Sequence, residues 1–244
     1  MSSTATPPFG EDAKTLASWV YDRLRDDIVA GSLAPGQKLT LDSLKERYTV
    51  GVTPLREALY RLSSSLLVEA EDQRGFRVAP VTVAHLQDII SSREHIETLV
   101  LRDAFRHGGE DWKAAIFAAF KLLERTPMYE MDNGPISRAW ETAHRRFHQA
   151  VLSAARSKAL LHFQTMLWDH AARYRNIVAP ALLDEAELQA EHAELTRTIE
   201  QGDVEMACLL LRRHITNAAA PVLEALIRQK GQKGKSSGMS FERI

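Results

Sequence analysis

The stretch from Thr53 to Ser63 constrains the fold of this chain more than any other feature of the sequence. Apolar residues recur there at intervals of three and four, at Leu55, Ala58, Leu59 and Leu62, and the pattern continues to Leu66. Such spacing makes one apolar stripe along a helix. Thr53 is predicted to cap this helix and Pro54 to occupy its first position, where no backbone donor is needed. Arg56 and Arg61 fall off the stripe, so the helix can pack on one side and present arginine on the other.

The patterns on either side of this helix form an order that is typical of one DNA-binding fold. They are a helix from Leu16 to about Gly31, a short helix capped by Thr40, and strands at residues 67–70 and 76–80. Three helices followed by a hairpin are the order of a winged helix-turn-helix, whose third helix enters the major groove. Arg74 and Arg77 on the hairpin can then reach the DNA backbone or the minor groove. A short amphipathic helix with two arginines is by itself more often a surface helix, so the DNA-binding interpretation depends on this order.

The pattern changes at Thr82, where long helical repeats replace strand-like alternation. Glycine and proline positions divide the remainder into about six helices of an all-α bundle. Gly134-Pro135 is expected to open the helix that ends near Ala155, and the last helix is expected to end near Gln229. The chain is therefore predicted to be mostly α, with a disordered tail at residues 1–13, a winged helix-turn-helix domain at 14–80, a helical domain at 82–230 and a flexible tail at 231–244.

Composition gives no electrostatic signature of nucleic-acid binding. The formal net charge is -1, and residues 1–80 carry ten Lys and Arg against eleven Asp and Glu, so affinity for phosphate must come from local placement. Cys208 is the only cysteine, which excludes an internal disulfide and a cysteine metal site. No signal peptide and no apolar run of about 18 residues is present. We therefore expect a cytoplasmic protein with no membrane partner.

Four of the nine histidines lie in a pattern that suits a metal ion. His144 and His148 are four residues apart and project from one face of a helix. His192 and His214 lie ten residues before and twelve residues after Gly202, so an antiparallel helix pair brings them to nearly the same level. Imidazoles in a bundle core suit zinc, nickel, copper or iron better than magnesium or calcium. From the residues alone, partly buried structural histidines remain the commoner explanation.

A second group of polar residues could surround such a site. Arg93 and Glu97 are four residues apart on one helix. They form either a surface ion pair or an inward-facing pair whose arginine grips a carboxylate through two parallel hydrogen bonds. Tyr174, Arg175 and Asn217 could add further donors.

The two parts of the chain resemble the two domains of a known family. Residues 15–80 resemble the winged helix-turn-helix of GntR-type bacterial transcription regulators, through Leu33-Ala34-Pro35-Gly36, Leu39, Thr53-Pro54-Leu55-Arg56-Glu57-Ala58-Leu59, Leu62 and Arg74-Gly75-Phe76-Arg77-Val78. Residues 82–230 resemble the FCD-type effector domain of FadR-like members, through Arg93, Glu97, His144, Phe147, His148, Glu191-His192 and His214. Together these stretches cover nearly the whole chain.

The resemblance implies a homodimeric transcription regulator, most simply a repressor, and not an enzyme. Its partners would be double-stranded operator DNA and a small carboxylate effector, and residues 82–230 would bind the effector and form the dimer. The implied DNA-binding residues are Thr53, Pro54, Arg56, Arg61, Arg74, Gly75 and Arg77. The implied ligands of a divalent metal, zinc or nickel foremost, are His144, His148, His192 and His214. The implied effector-binding residues are Arg93, Glu97, Tyr174, Arg175 and Asn217.

Two departures from the family pattern bear on specificity. Gly51-Val52 stands where the family commonly has Ser-Arg, so one DNA-contacting arginine is missing. His144 stands where the first metal ligand is usually Asp, which leaves the site one charge unit more positive; our hypothesis is that it favours a dianionic effector. The runs Gly51–Leu59 and Ala171–Arg175 also resemble the carbon-starvation repressors of glutarate and lysine/GABA catabolism within the family, which implies a five-carbon dicarboxylate such as glutarate.

Two other classes of function fit parts of the sequence. A metal-dependent enzyme could use the four histidines, but no Asp or Glu is placed by a motif as a general base. A helical interaction module without DNA binding fits the near-neutral N-terminal region.

Overall fold

The computed structural model describes residues 15–71, 75–131, 134–178 and 183–237, with side chains as far as residue 229. The chain divides into two compact units, Met1–Val81 and Thr82–Ile244. The mostly α fold class is confirmed. The predicted tail at residues 1–13 and the wing residue Arg74 lie outside the described residues. No helix in the described part of the chain is long and apolar enough to cross a membrane.

The first unit has three helices and a small antiparallel sheet. Its elements are α1 (Leu16–Val29), β1 (Lys38–Leu39), α2 (Leu41–Tyr48), α3 (Val52–Ser64), β2 (Val68–Glu71) and β3 (Gly75–Val78). The sheet order is β1-β3-β2, with Lys38 opposite Arg77 and Val68 opposite Val78. The predicted hairpin is therefore present. The sequence did not predict β1, because two residues are too few to show an alternating pattern.

Helix α3 begins two residues earlier than the sequence predicted. Its N-cap is Gly51, with no side-chain capping bond, so Thr53 is not the cap. Pro54 then lies inside the first turn, where its missing N–H is not required by the helix. The apolar stripe is confirmed: Leu55, Ala58, Leu59 and Leu62 are all fully buried. Burial of each leucine contributes roughly 1.5–3 kcal/mol, and this holds α3 against the rest of the unit.

The apolar stripe ends at Leu62, so its predicted continuation to Leu66 was wrong. Leu66 has a φ of +59° and is 61% exposed. The amide of Leu67 donates to the carbonyl of Leu62, at 3.1 Å. This bond, with a left-handed residue after the last turn, is the Schellman arrangement that ends many helices. Leu67 takes the buried position instead, at 1% exposure.

The second unit is a helical bundle, as predicted. Its helices are α4 (Val83–His107), α5 (Glu110–Glu124), α6 (Arg138–Leu152), α7 (Lys158–Val178), α8 (Glu185–Gln201) and α9 (Val204–Ser237). The predicted start of α6 at Gly134-Pro135 was wrong, since the cap is Ser137, whose hydroxyl accepts from the amide of Trp140 at 3.0 Å. Helix α9 continues past Gln229 into residues that the sequence assigned to a flexible tail.

The turn between α8 and α9 determines which residues of the two helices lie opposite each other. Gly202 ends α8 with a φ of +78°, a conformation that glycine adopts without strain. Asp203 accepts from the amide of Met206 at 3.0 Å and starts α9 directly. This two-residue linker, Gly202-Asp203, folds α9 back along α8. The core beside this pair includes Phe147, Ile199 and Leu211.

Candidate metal centre and DNA-binding surface

Four buried histidines meet in the core of the second unit. His144 and His148 come from one face of α6, His192 from α8 and His214 from α9, and each is at most 4% exposed. One nitrogen from each ring lies within 4.8 Å of the corresponding nitrogen of every other ring. The structure therefore brings together all four of the predicted ligands, and the level expected for His192 and His214 is correct.

The distances between these nitrogens match the edge of a metal coordination sphere. Nε2 of His148 lies 3.1 Å from Nε2 of His144 and 3.3 Å from Nε2 of His192. Metal–nitrogen bonds of about 2.1 Å place adjacent ligand nitrogens about 3.0–3.4 Å apart in tetrahedral or octahedral geometry. These four histidines could therefore bind one divalent ion.

The surroundings of the cluster favour the neutral form of His144, His148 and His192, which is the form that binds metal. Burial lowers the pKa of His144, His148 and His192 well below the ordinary value for histidine. The neighbouring histidines and the nearby Arg175 lower the pKa of all three further. These three imidazoles therefore each keep a nitrogen lone pair that can bind a cation.

An acidic residue that the sequence analysis did not assign orients the fourth ligand. Nδ1 of His214 donates to Oε2 of Glu191 at 2.7 Å, and Asn217 donates to Oε1 of the same carboxylate at 2.6 Å. A carboxylate can only accept, so the proton of His214 lies on Nδ1 and Nε2 is available as a ligand. Asn217, predicted as an effector contact, acts here through Glu191. The neighbouring position of Glu191 and His192 was the sequence signal that could have revealed this role.

Arg93 and Glu97 form a buried pair beside the histidines. Nε of Arg93 donates to Oε1 of Glu97 at 2.7 Å, with side-chain exposures of 9% and 0%. The guanidinium also lies 5.2 Å from the ring centre of Trp168, which in turn lies 4.8 Å from the ring of His148. The pair is therefore buried rather than a surface ion pair, and the grip of Arg93 on an effector carboxylate stays a prediction.

Arg175 forms a second pair of the same kind. It donates to Oε1 of Glu141 at 2.5 Å and lies 5.9 Å from the ring centres of both Trp140 and Trp168. Trp140 stacks on His144 at 4.4 Å. Trp140, His144 and His148 are spaced by four residues on α6, a helical-face pattern that the sequence analysis could have used to find Trp140.

Several buried polar atoms around the cluster have no hydrogen-bond partner among the described residues. They are Oε2 of Glu97, Oε2 of Glu141, Nδ1 of His144, Nε1 of Trp168 and Nε of Arg175. Buried polar groups are normally satisfied. These atoms, grouped around the four buried histidines, are available to a polar ligand.

A pocket opens beside these arginines, between α4, α7 and α9. Its volume is about 350 Å³, including its opening to solvent, and it is lined by Leu86, Ile89, Ile90, Arg93, Ala171, Tyr174, Arg175, Ile215, Ala218, Ala219 and Val222. Apolar walls with two arginines suit a small organic anion with a short carbon chain.

Tyr174 lines this pocket, and its hydroxyl is already engaged by other groups of the protein. The hydroxyl accepts from the amide of Thr82 at 2.9 Å and donates to the carbonyl of the same residue at 3.1 Å. Nδ1 of His85 lies 3.0 Å from it as well. The donor that the sequence expected Tyr174 to offer to an effector is thus engaged at the N-terminus of α4.

In the first unit, the predicted DNA-binding residues differ in their local contacts. Thr53, Arg56 and Gly75 are exposed, and Pro54 is half-buried in the first turn of α3. Among the described residues, Arg56 forms no hydrogen bond or ion pair, so its guanidinium is available to a partner.

Two other predicted DNA contacts are engaged within the unit. Arg61 lies over the ring of Tyr21 at 4.3 Å and donates to Ser18. Arg77 donates to Glu71 at 2.8 Å and to the carbonyl of Gly36 at 2.5 Å. These contacts give both arginines a structural role in addition to the DNA contact that was predicted.

The sequence matches two family descriptions over the two units. "Bacterial regulatory proteins, gntR family" matches residues 16–78, and "FCD domain" matches residues 88–217. The chain belongs to the GntR family. It is a DNA-binding transcription regulator with an FCD domain, and the family places it outside the enzymes.

Relatives in this family match most of the chain. The transcriptional repressor GlaR of Escherichia coli K12 is 31% identical over 212 residues, which cover 84% of this chain and 95% of GlaR. The HTH-type regulator BphR of Paraburkholderia xenovorans LB400 is 32% identical over 219 residues, 89% of each chain. The solved structure of E. coli McbR/YncC has a TM-score of 0.73 at 20% identity and covers 86% of this chain and 98% of that one, which supports the fold.

Proposed function

We propose that this GntR regulator is a homodimeric repressor whose binding to operator DNA responds to a small dicarboxylate, such as glutarate, held beside a divalent metal. The observation that carries the proposal is the convergence of four buried histidines from α6, α8 and α9 next to a pocket that contains two arginines. The similarity to GlaR, which is named as a transcriptional repressor, supports repression rather than activation of transcription.

The metal in this proposal is zinc or nickel. Four imidazole nitrogens favour these borderline ions over magnesium or calcium, which prefer oxygen ligands. A bound ion would supply positive charge and an open coordination position for a carboxylate oxygen. His144, His148, His192 and His214 would hold the ion, and Glu191 would keep His214 in the binding tautomer.

The charges around the site favour a dianion. Glu97 and Glu141 compensate the charges of Arg93 and Arg175, so the uncompensated positive charge would come from a metal whose proposed ligands include no carboxylate. One carboxylate would bind the metal, and the second would bind a guanidinium that already lies in the pocket wall. Glutarate is therefore expected to bind more tightly than pentanoate, which has the same chain length and one carboxylate. Equal affinities in calorimetry would contradict the preference.

In the first unit, the proposal assigns Thr53, Arg56 and the wing that contains Arg74 and Gly75 to operator DNA. A twofold protein matches two half-sites of a pseudo-palindrome. The effector can change DNA affinity only if it binds the DNA-competent and the DNA-incompetent arrangements with different affinity.

A gel shift with the DNA upstream of the protein's own gene tests the proposal. The metal-loaded protein should bind this DNA, and glutarate should change the midpoint. The double variant His148→Ala with His192→Ala should contain no stoichiometric metal and should not respond to glutarate. His162→Ala is the matched control, because His162 is an exposed histidine of the same unit. Full metal content in the double variant would place the metal elsewhere, and a shift that is independent of glutarate would exclude this effector.

A further inference from the structure

Tyr174 touches both the pocket and the first residue of the second unit. Its ring forms part of the pocket wall beside Arg93 and Arg175. Its hydroxyl contacts both backbone polar groups of Thr82, where the second unit begins. Within the described residues, the side chain is fully buried, so it has no freedom to exchange these contacts for solvent while α4 and α7 stay in place.

The contacts of the hydroxyl can all be satisfied at once. A phenol has one donor and two acceptor positions. It accepts from the amide of Thr82, donates to the carbonyl of Thr82, and can accept from Nδ1 of His85 at 3.0 Å. Burial raises the pKa of Tyr174, which keeps the donor proton in place at neutral pH.

The same residues hold the first turn of α4. The hydroxyl of Thr82 accepts from the amide of His85 at 3.1 Å, and its carbonyl accepts from the amide of Leu86 at 3.1 Å. Leu86 also lines the pocket. The cap of α4, the ring of Tyr174 and the pocket wall are therefore one continuous set of contacts.

We propose that Tyr174 is a positioning residue that transmits the state of the pocket to the start of α4. This inference rests on the proposed function, in which the pocket binds the effector. Arg93 belongs to α4 and Arg175 to α7, and both line the pocket, so an anion that binds both guanidinium groups changes the spacing of α7 and α4. Hydrogen bonds weaken steeply with distance and angle. The two hydrogen bonds between the Tyr174 hydroxyl and the backbone of Thr82 are therefore kept in one arrangement of α4 and α7 and lost in the other. The two states then differ in the hydrogen bonding of Thr82, the first residue of the second unit.

Hydrogen exchange on the full-length, metal-loaded protein tests this role, with Tyr174→Phe as the variant. Phenylalanine keeps the ring in the pocket wall and removes only the hydroxyl. Without ligand, the amides of residues 82–86 should exchange about fivefold faster in the variant, as expected for the loss of one or two buried hydrogen bonds. Tyr129→Phe is the matched control, because the Tyr129 hydroxyl also donates to a backbone carbonyl, that of Leu183, at 2.6 Å. It should leave residues 82–86 unchanged.

Addition of glutarate then separates transmission from binding. In the wild type, glutarate should change the exchange of residues 82–86. In Tyr174→Phe, at glutarate concentrations that calorimetry shows to saturate the variant, the exchange of residues 82–86 should no longer respond.

The inference would be overturned if glutarate changed the exchange of residues 82–86 in Tyr174→Phe as much as in the wild type. A loss of glutarate affinity greater than about tenfold in the variant would also overturn it, because the hydroxyl would then be a ligand contact. A wild type that binds glutarate without any change at residues 82–86 would overturn it as well. A wild type that binds no glutarate would instead contradict the proposed effector. The comparison without ligand would then show whether the Tyr174 hydroxyl protects the amides of residues 82–86. Equal exchange in the wild type and in Tyr174→Phe would overturn the inference.

Discussion

Arg93 and Arg175 are held in the same way, each between a glutamate and the ring of Trp168. Their guanidinium groups are pre-organised, so little side-chain entropy is lost when a carboxylate binds. The glutamates keep the charges compensated when no anion is bound, which removes the large cost of an unpaired buried charge. This arrangement lets a buried pocket keep two arginines without the cost of unpaired charge and leaves them available to the proposed anion.

Arg93→Lys should weaken glutarate binding about tenfold, because lysine keeps the charge but cannot present two parallel N–H donors. Metal content should not change. Calorimetry on the metal-loaded variant measures the effect. Arg102→Lys on the same helix is the control, since Arg102 pairs with Glu205 at the surface. Unchanged affinity in Arg93→Lys would show that Arg93 does not contact the effector.

Glu191→Ala should lower metal affinity by about 10–100-fold, the usual effect of losing a carboxylate that orients a histidine ligand. Competition with a chromophoric chelator measures this affinity. Glu194→Ala is the control on the same helix, because Glu194 pairs with Arg213 in an exposed position. If both variants bind metal equally, His214 is not a ligand that depends on Glu191.

Helix α3 combines a fully buried stripe with an arginine that has no partner among the described residues. Arg56→Ala should therefore reduce operator affinity, by about 1–2 kcal/mol for the loss of a phosphate or base contact, with the melting temperature unchanged. Arg61→Ala should lower the melting temperature, because it removes the contacts with Tyr21 and Ser18. Gel shifts and thermal unfolding of both variants test this division. Equal DNA binding by Arg56→Ala and the wild type would contradict the assignment of α3 as the recognition helix.

The end of α3 contains a strained residue. Leu66 is exposed and has a φ of +59°, where a side chain costs about 1 kcal/mol relative to glycine. Leu66→Gly should therefore raise the free energy of unfolding by about 0.5–1 kcal/mol. Leu66→Ala, which keeps the Cβ atom, should give no such gain. Urea unfolding of both variants measures the difference, and a loss of stability in Leu66→Gly would show that Leu66 makes a contact worth more than the strain.

The element boundaries show what a sequence pattern can and cannot predict. Repeats of three and four residues predicted all the long helices, because each buries one face along its full length. The start of α6 was missed, because the choice between Gly134-Pro135 and Ser137 depends on which carbonyls and amides the loop can satisfy. The short strand β1 exists only through its pairing with β3, a contact between residues far apart in the sequence.

The histidine site shows the same limit across the whole molecule. Helix spacing and the turn at Gly202 predicted that His192 and His214 would meet, because the antiparallel pair leaves little choice of level. The pairs Arg175–Glu141 and His214–Glu191 join different helices, so only the packed bundle reveals them. The hydroxyl of Tyr174 was predicted as a ligand donor because sequence cannot show which way a long side chain points.

The metal-free protein should be less stable at pH 5.5 than at pH 7.5. The folded state keeps His144, His148 and His192 neutral, because burial lowers each pKa. The unfolded chain binds protons at these residues below pH 6.5, so stability is lost as pH falls through that value. One pH unit below it, each neutral histidine costs about 1.4 kcal/mol. Thermal unfolding of the chelated protein at both pH values measures the change. Addition of zinc at pH 7.5 should raise the melting temperature of the chelated protein. Equal melting temperatures at the two pH values would contradict the buried, neutral cluster.

Diffraction from crystals of the glutarate-bound protein, at the absorption edge of the loaded metal, would locate both the ion and the effector. We expect one anomalous peak per chain, within bonding distance of Nε2 of His144, His148, His192 and His214. We also expect one glutarate carboxylate on the metal and the other on Arg93 or Arg175. A peak elsewhere, or glutarate bound away from the ion, would contradict the proposed site.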